Sequence, residues 1–471
     1  MIMQELQLSE IQGFLIRDYR DMPFAKYFLL QFTDAVKGKK FLKNISEKIT
    51  TAVNNNESSY VNIGFTSAGL AALGLLQNNM RAFIREFREG MVTPYRQRLL
   101  GDHDSSEPAK WNWGGPQNDT IHITVMIFGK DREKIDAHAE ECIAEFNQYA
   151  LKSVFVLDNT TFPEGREHFG FRESISQPII IGSGVTGHKN DHIRAGEFIL
   201  GYKNEYGVYP DTPLLHESQG NSSMLDRDPG GSDKKDIGKN GTYFVLRQLK
   251  EDVDGFWNFL NEKSKDDNGS INAEASTKLA AKMMGRWPGG APLVKYPDKD
   301  PGILSDDNDF VYTDTDKLGL KCPFGSHARR TNPRDNFEET GPAESLQLTK
   351  KHRIMRRVRS YGETYTSSPT QHTPIDEVGI LFGCFNADIS RQFEFIQYTW
   401  ANYPKFKQLY ADPDPFIGVK ENPEAGTEQQ FTIPQKTANK YITGLKSFVT
   451  VKGGAYFFFP SITVVEYLST I

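Results

Sequence analysis

The residues with the clearest chemical content run Cys322-Pro323-Phe324-Gly325-Ser326-His327-Ala328-Arg329-Arg330-Thr331-Asn332-Pro333-Arg334. One imidazole is followed within seven residues by three guanidinium groups. Pro323, Gly325 and Pro333 argue for a rigid loop rather than a long helix or a central strand. A neutral imidazole nitrogen can ligate a metal, and arginines clamp carboxylates or phosphates through forked hydrogen bonds. A haem presents both needs, an iron to ligate and two propionates to neutralise. The competing reading is a histidine that caps or packs the loop, with its arginines in solvent. On this stretch alone that reading stands ahead, because short motifs discriminate weakly.

Two further stretches carry chemistry. In Gly170-Phe171-Arg172-Glu173-Ser174-Ile175-Ser176-Gln177-Pro178 one acid sits in a loop shaped by glycine and proline. A carboxyl delivered into an apolar cleft is a candidate general acid/base, since burial raises its pKa toward the working range. A surface pair with Arg172 is the plainer alternative, favoured when the stretch stands alone. In His352-Arg353-Ile354-Met355-Arg356-Arg357-Val358-Arg359-Ser360-Tyr361-Gly362, strand alternation puts Arg356 with Ile354 and Val358, and puts Arg353, Arg357 and Arg359 on the other face. A guanidinium among aliphatics must be paired, so Arg356 is expected to meet an interior charge and the other arginines to face solvent.

The elements that must position these groups read in order. Residues 24–33 predict an aromatic-rich strand, followed by a helix ending at about 46–52; residues 60–65 predict a strand, with a capped small-residue helix over 66–74. Residues 120–128 alternate as a strand, 131–149 as a long amphipathic helix and 153–157 as a strand. Strand-helix-strand twice over is the pattern of a ferredoxin-like α+β unit. The second half repeats it with interruptions: strands at 196–202, 241–247, 352–359 and 378–385, helices at 250–260, 273–284 and 388–403, a strand pair over 448–460 around Gly453-Gly454, and a closing helix at 461–469. The Asp-, Gly- and Pro-rich insertions 266–272, 295–318 and 411–436 are expected at the surface. The fold class is therefore α+β, two ferredoxin-like units with antiparallel sheets and peripheral helices, of the dimeric α+β barrel kind. An N-terminal domain is expected over 1–165 and a C-terminal one over 166–471, with the junction loop 166–180 adding to its site.

The chain has 471 residues, enough for two or three domains, and a net charge of −6 with acids and bases interspersed. That balance predicts neither a nucleic-acid footprint nor a membrane surface, and points to a small-molecule partner. The start, Met1-Ile2-Met3-Gln4-Glu5-Leu6, lacks the form of a secretory signal and no segment is apolar enough for a bilayer span, so a cytoplasmic location is expected. Cys142, Cys322 and Cys384 are few and widely spaced, which argues for buried thiols rather than a disulfide framework or cysteine metal site. The 32 phenylalanines and 19 tyrosines permit a large apolar pocket.

Taken in order, Ile11-Gln12-Gly13, the junction loop with Ile-Ser-Gln-Pro, the segment 196–206 with Asn204-Glu205-Tyr206, the loop 322–334, the Arg356 strand and residues 379–397 resemble the dye-decolourising haem peroxidases, in their larger, long-loop members. The resemblance spans nearly the whole chain. It implies haem b, with His327 as the proximal iron ligand, and Glu173 and Arg356 as the distal acid and arginine. It implies Ile380 and Phe382 as the apolar pair over the distal face, and one or more of Arg329, Arg330 and Arg334 at the propionates. Asp388 is the candidate acceptor that orients His327.

The implied activity is reduction of hydrogen peroxide and one-electron oxidation of bulky aromatic donors such as dyes and phenols, through a ferryl intermediate, by a monomer or homodimer. One departure stands out. The family's junction motif has Asp-Gly where this chain has Glu173-Ser174, and serine resists the positive φ that glycine allows. The alternative is accordingly a haem storage, carrier or sensor protein with weak peroxidase activity.

Overall fold

Eight strands close into one barrel. In chain order they are β1 (Phe24–Phe32), β2 (Ser59–Phe65), β3 (Ile123–Gly129), β4 (Leu151–Thr160), β5 (Thr242–Glu251), β6 (Met355–Tyr361), β7 (Gly379–Asn386) and β8 (Val449–Phe459). The computed structural model describes residues 5–53, 58–337, 341–363, 367–419 and 429–471. Residues 1–4, on which part of the signal reading rests, and 420–428 of the insertion expected at 411–436 lie outside the described residues.

The strand order around the barrel is β1-β3-β2-β8-β5-β7-β6-β4. The first four strands thus run β4-β1-β3-β2 and the last four β8-β5-β7-β6, the same permutation twice, which is the two-unit ferredoxin-like architecture expected from the sequence. Antiparallel contacts between β8 and β2 (Phe458 opposite Phe65) and between β4 and β6 (Thr160 opposite Ser360) join the halves. Closure removes the exposed strand edges that two open sheets would present.

Local chemistry sets the helices. Asp34 accepts from the Lys37 N–H to start α1 (Ala35–Ile45), and Asp131 from the Lys134 N–H to start α2 (Arg132–Gln148). In the second unit Asp252 caps α3 (Val253–Lys263) and Asn272 caps α4 (Ala273–Met284), which stops at Gly285 in the left-handed region. The helix expected to end at 46–52 already stops at Ile45, with one 3₁₀ turn after it.

Each strand shows two faces. Tyr27, Phe128, Phe244, Phe385, Phe457 and Phe459 fill the barrel interior, and the opposite faces pack under the helices. Here the sequence expectation for the arginine strand fails. Arg357 and Arg359 point into the barrel, where Arg357 donates to the Phe14 and Leu15 carbonyls and Arg359 to Asn159 and the Met22 and Pro23 carbonyls. Arg353 is 8 % exposed and pairs with Asp191 at 3.3 Å. Arg357 and Arg359 are buried because the face opposite Arg356 is the barrel core, and Arg353, two residues before β6 begins, is buried against Asp191.

Two strand assignments also change. Residues 196–202 form a 3₁₀ turn and bends rather than a strand. Residues 448–460 form one strand with a register shift between Val451 and Gly453, where a side chain on Gly453 would collide with the Trp113 indole. The glycine pair is a bulge and not a hairpin turn. The three cysteines are free and buried, as expected. Among the described residues no helix is long and apolar enough to cross a membrane.

Candidate active site

The outer face of the second unit's sheet forms one wall of a cavity of about 300 Å³. Register brings the wall together. Val358 lies opposite Phe382, which is opposite Arg247, while Ile380 is opposite Leu249 and Arg356 opposite Cys384. Ile380 and Phe382 line the cavity together with Arg356 and Val358, so the expected apolar pair and distal arginine share one surface.

The junction loop lays Glu173 against that wall. Gly170 sits at φ 92°, where a side chain would strike the Ser367 carbonyl, so glycine is required there. The Glu173 N–H donates to the Gly165 carbonyl at 2.8 Å, and Arg172 turns away to pair with Asp306 at 3.1 Å. The surface pair of Glu173 with Arg172 is therefore absent. Ser174 and Ser176 adopt φ 59° and 66°. Ser174 takes up the left-handed conformation despite its side chain. Glu173 lines the cavity with its Oε2 buried and without a hydrogen-bond partner. Burial raises its carboxyl to about 7, against the opposing pull of the Arg356 guanidinium. Arg356 is pushed the other way by burial and donates to the Ile175 carbonyl of the same loop.

His327 lines the same cavity from a different element, the short helix α5 (His327–Thr331) that interrupts the expected loop. Ser326 fixes its start by donating to the Lys282 carbonyl at 2.6 Å. His327 Nδ1 lies 2.9 Å from Asp414 Oδ2, and Asp414 is fully buried, with its Oδ1 accepting the Phe416 and Ile417 N–H groups at 2.9 and 3.0 Å. An Nδ1–H donated to that carboxylate leaves the Nε2 lone pair free for a ligand. The orienting acid is thus Asp414 and not Asp388, whose carboxylate caps Arg391 at 2.9 Å. Asp414 belongs to an insertion expected at the surface; between Pro413 and Pro415 its backbone folds inward under α5.

Of the three arginines after His327, only Arg334 lines the cavity. Arg329 is held by Asp316 at 2.8 Å and the Cys322 carbonyl at 2.6 Å. Arg330 donates to the Trp400 and Tyr403 carbonyls at 2.6 and 2.9 Å. Both spend their donors on knitting the loop to its neighbours. Among the described residues, four more arginines line the cavity besides Arg356: Arg172 and Arg247, paired with Asp306 and Asp102, and Arg286 and Arg353, which sit near Arg334. Burial lowers Arg286 and Arg353 each to about 10, and the Arg334 guanidinium pushes in the same direction.

These residues fit a haem. One imidazole nitrogen is left free on a cavity with an apolar wall. Arg286, Arg334 and Arg353 gather at the same cavity with Asp191, beside Arg353, as their one carboxylate partner among the described residues, so anionic groups such as two propionates suit them.

Residues 14–160 match a family model described as the DyP dimeric alpha+beta barrel domain. The multifunctional dye peroxidase DyP2 of Amycolatopsis sp. is 27 % identical, covering 93 % of this chain and 91 % of its own length. The dye-decolorizing peroxidase msp1 of Mycetinis scorodonius is 25 % identical, over 98 % and 87 %. The crystal structure of a fungal DyP-type peroxidase from Auricularia auricula-judae superposes with a TM-score of 0.78 at 25 % identity, over 99 % of this chain and all of that one.

Proposed function

We propose that this chain, which belongs to the DyP-type peroxidase family, is a haem peroxidase that reduces hydrogen peroxide and oxidises dyes and other bulky aromatic donors by one-electron steps. The observation that carries the reading is the single cavity shared by His327, backed by Asp414, and by the Glu173 and Arg356 pair. The cofactor is proposed to be haem b, held without a covalent link, since none of the three cysteines lines the cavity.

Haem, when bound, would supply the redox chemistry at its iron. The chain's own residues do the rest. His327 would hold the iron through Nε2, with the Asp414 carboxylate fixing the ring through Nδ1 and strengthening its donation. Glu173 accepts a proton from hydrogen peroxide at its unpartnered Oε2 and returns it to the departing oxygen, which leaves as water. Arg356 stabilises the negative charge that develops as the oxygens separate. Ile380 and Phe382 restrict access over the distal face, so bulky donors deliver electrons from the cavity rim. Arg334, Arg286 and Arg353 neutralise the propionates. Of the two units, 1–165 and 166–471, the second supplies Glu173, His327 and Arg356, and residues 100–106 of the first add to the cavity lining.

The storage or sensor alternative drew its force from Glu173-Ser174. It loses that force once Ser174 adopts the glycine-like conformation and Glu173 reaches the cavity. Haem-loaded protein mixed with peroxide and an anthraquinone dye is expected to bleach the dye over many turnovers. Stoichiometric haem binding without bleaching contradicts the enzyme reading and favours the alternative.

A further inference from the structure

The steps above leave two buried carboxyls without a task. Glu167, on the junction loop, and Glu251, the last residue of β5, both line the cavity and are 7 % and 3 % exposed. Their surroundings differ. The Glu167 carboxylate accepts the Phe169 and Phe171 N–H groups at 2.7 and 2.9 Å, in the turn that leads into Glu173. Glu251 has a buried Oε2 with no hydrogen-bond partner, the same condition as the Oε2 of Glu173.

Among the described residues no cation answers Glu251. The groups that act on it are Glu167 and Glu173, with the Tyr361 phenol beside it at the end of β6. Its strand neighbours are Val449 on β8 and Val378 before β7, both apolar. Arg247, on the same face of β5, is paired with Asp102. Lys250 faces the other way and pairs with Asp376 and Glu377 at 3.5 and 3.6 Å. Arg166 acts on Glu167, and Arg356 on Glu173.

Two buried carboxyls that repel each other, with no cation between them, cannot both stay ionised. Burial accordingly raises both. The backbone donors favour the charge on Glu167, which leaves the proton on Glu251.

We propose that Glu251 and Glu167 share one proton, resident on Glu251, and that this pair is the proton store from which Glu173 is resupplied while water is formed in the donor half of the cycle. This rests on Glu173 as the distal acid. In one turnover, one peroxide and two donor molecules AH give two waters and two A radicals. Each donor loses one electron and one proton at the rim, away from the distal side where both protons are needed. A proton leaves the Glu251 oxygen for Glu173 as an O–H bond breaks on one and forms on the other. The proton released by the oxidised donor then restores Glu251, and the pair returns to a single negative charge. Glu251 is a positioning residue in this scheme: it acts on the oxygen only through Glu173.

Infrared difference spectroscopy on the haem-loaded full chain tests the pair at about pH 8, above the value of about 7 for Glu173. The wild type is expected to show a protonated-carboxyl C=O stretch that Glu251→Gln lacks and Glu173→Gln retains. Glu251→Gln is also expected to slow donor turnover by roughly 10²-fold, the low end for an acid-base group, with an enlarged solvent isotope effect. A wild type without the band overturns the pair, and needs no variant to fold. A band that survives Glu251→Gln, or that variant turning over at the wild-type rate, overturns it too. The band persisting in Glu173→Gln supports the pair even where that variant's peroxide rate shows that Glu173 is not the acid.

Discussion

The two sides of the cavity are built on opposite principles. On the His327 side every degree of freedom is taken: Ser326 fixes the start of α5, Asp414 fixes the ring, and two backbone N–H groups fix Asp414. On the Glu173 side the acid has a buried oxygen with no partner, and the loop carries two serines at positive φ. Such conformations cost energy, and they persist where the surrounding structure enforces them. The contrast matches the chemistry required. A metal ligand works by staying put, whereas a proton shuttle must change partners within each cycle.

Removing the fixed side has the largest expected effect. His327→Ala should lose haem by more than the roughly 10–100-fold that deletion of an outer-shell partner costs, read as Soret absorbance per chain after gel filtration. Unchanged haem content and spectrum would refute the ligand assignment. Arg356→Leu should retain haem but slow peroxide cleavage by roughly 10²–10³-fold, the range for one donor to a developing anion. Equal losses of haem and rate would instead mark a structural role. Asp414→Asn keeps the shape and removes the charge, so peroxide cleavage or haem affinity should fall by roughly 10–100-fold, with a shifted ferric spectrum. Asp388→Asn, in contrast, should change neither.

The smallest effect concerns the strained loop. Ser174→Gly relieves a left-handed residue at a cost of about 1 kcal/mol, part of which returns as unfolded-chain entropy. A Tm gain of about 1–2 °C is expected, with peroxide kinetics unchanged; a lower Tm would show that the serine side chain holds the turn.

Stability has a pH signature as well. The Glu173 carboxyl is raised from its ordinary 4.5 to about 7 in the folded chain, so between those values the folded state binds more protons than the unfolded one. Its contribution is full below about 4.5 and lost as pH rises through about 7. Denaturant midpoints of the haem-free chain should fall over that window, and the fall should be shallower in Glu173→Gln.

The fold was legible because its strands alternate and its helices carry caps: Asp131 and Thr66 announce helices that start where expected. The barrel was part of the expected fold class, but local periodicity does not show where it closes, since closure is made by single contacts between strands far apart in the chain. For the same reason Arg357 and Arg359 were misassigned to solvent. Alternation tells which side chains share a face, but not which face is covered.

The site divides similarly. Glu173, His327 and Arg356, which line one cavity, stand out in the sequence through local punctuation and pattern. Asp414 lies 87 positions beyond His327, and no spacing rule links them; the only local trace is an acid flanked by prolines. Arg286 follows the glycine that ends α4, and nothing in that context separates it from a surface arginine. Arg329 and Arg330 were over-read because adjacency in sequence was equated with adjacency to the ligand.

The unequal treatment of the two sides is tested most directly by stopped-flow mixing of the haem-loaded chain with hydrogen peroxide across pH, for wild type and Glu173→Gln. The wild-type cleavage rate is expected to rise with pH through about 7, as Glu173 ionises. The variant should be slower by roughly 10²–10⁴-fold and lose that inflection. A variant with the wild-type rate and the same pH profile would contradict the account, and would assign proton transfer to another group on the Arg356 wall.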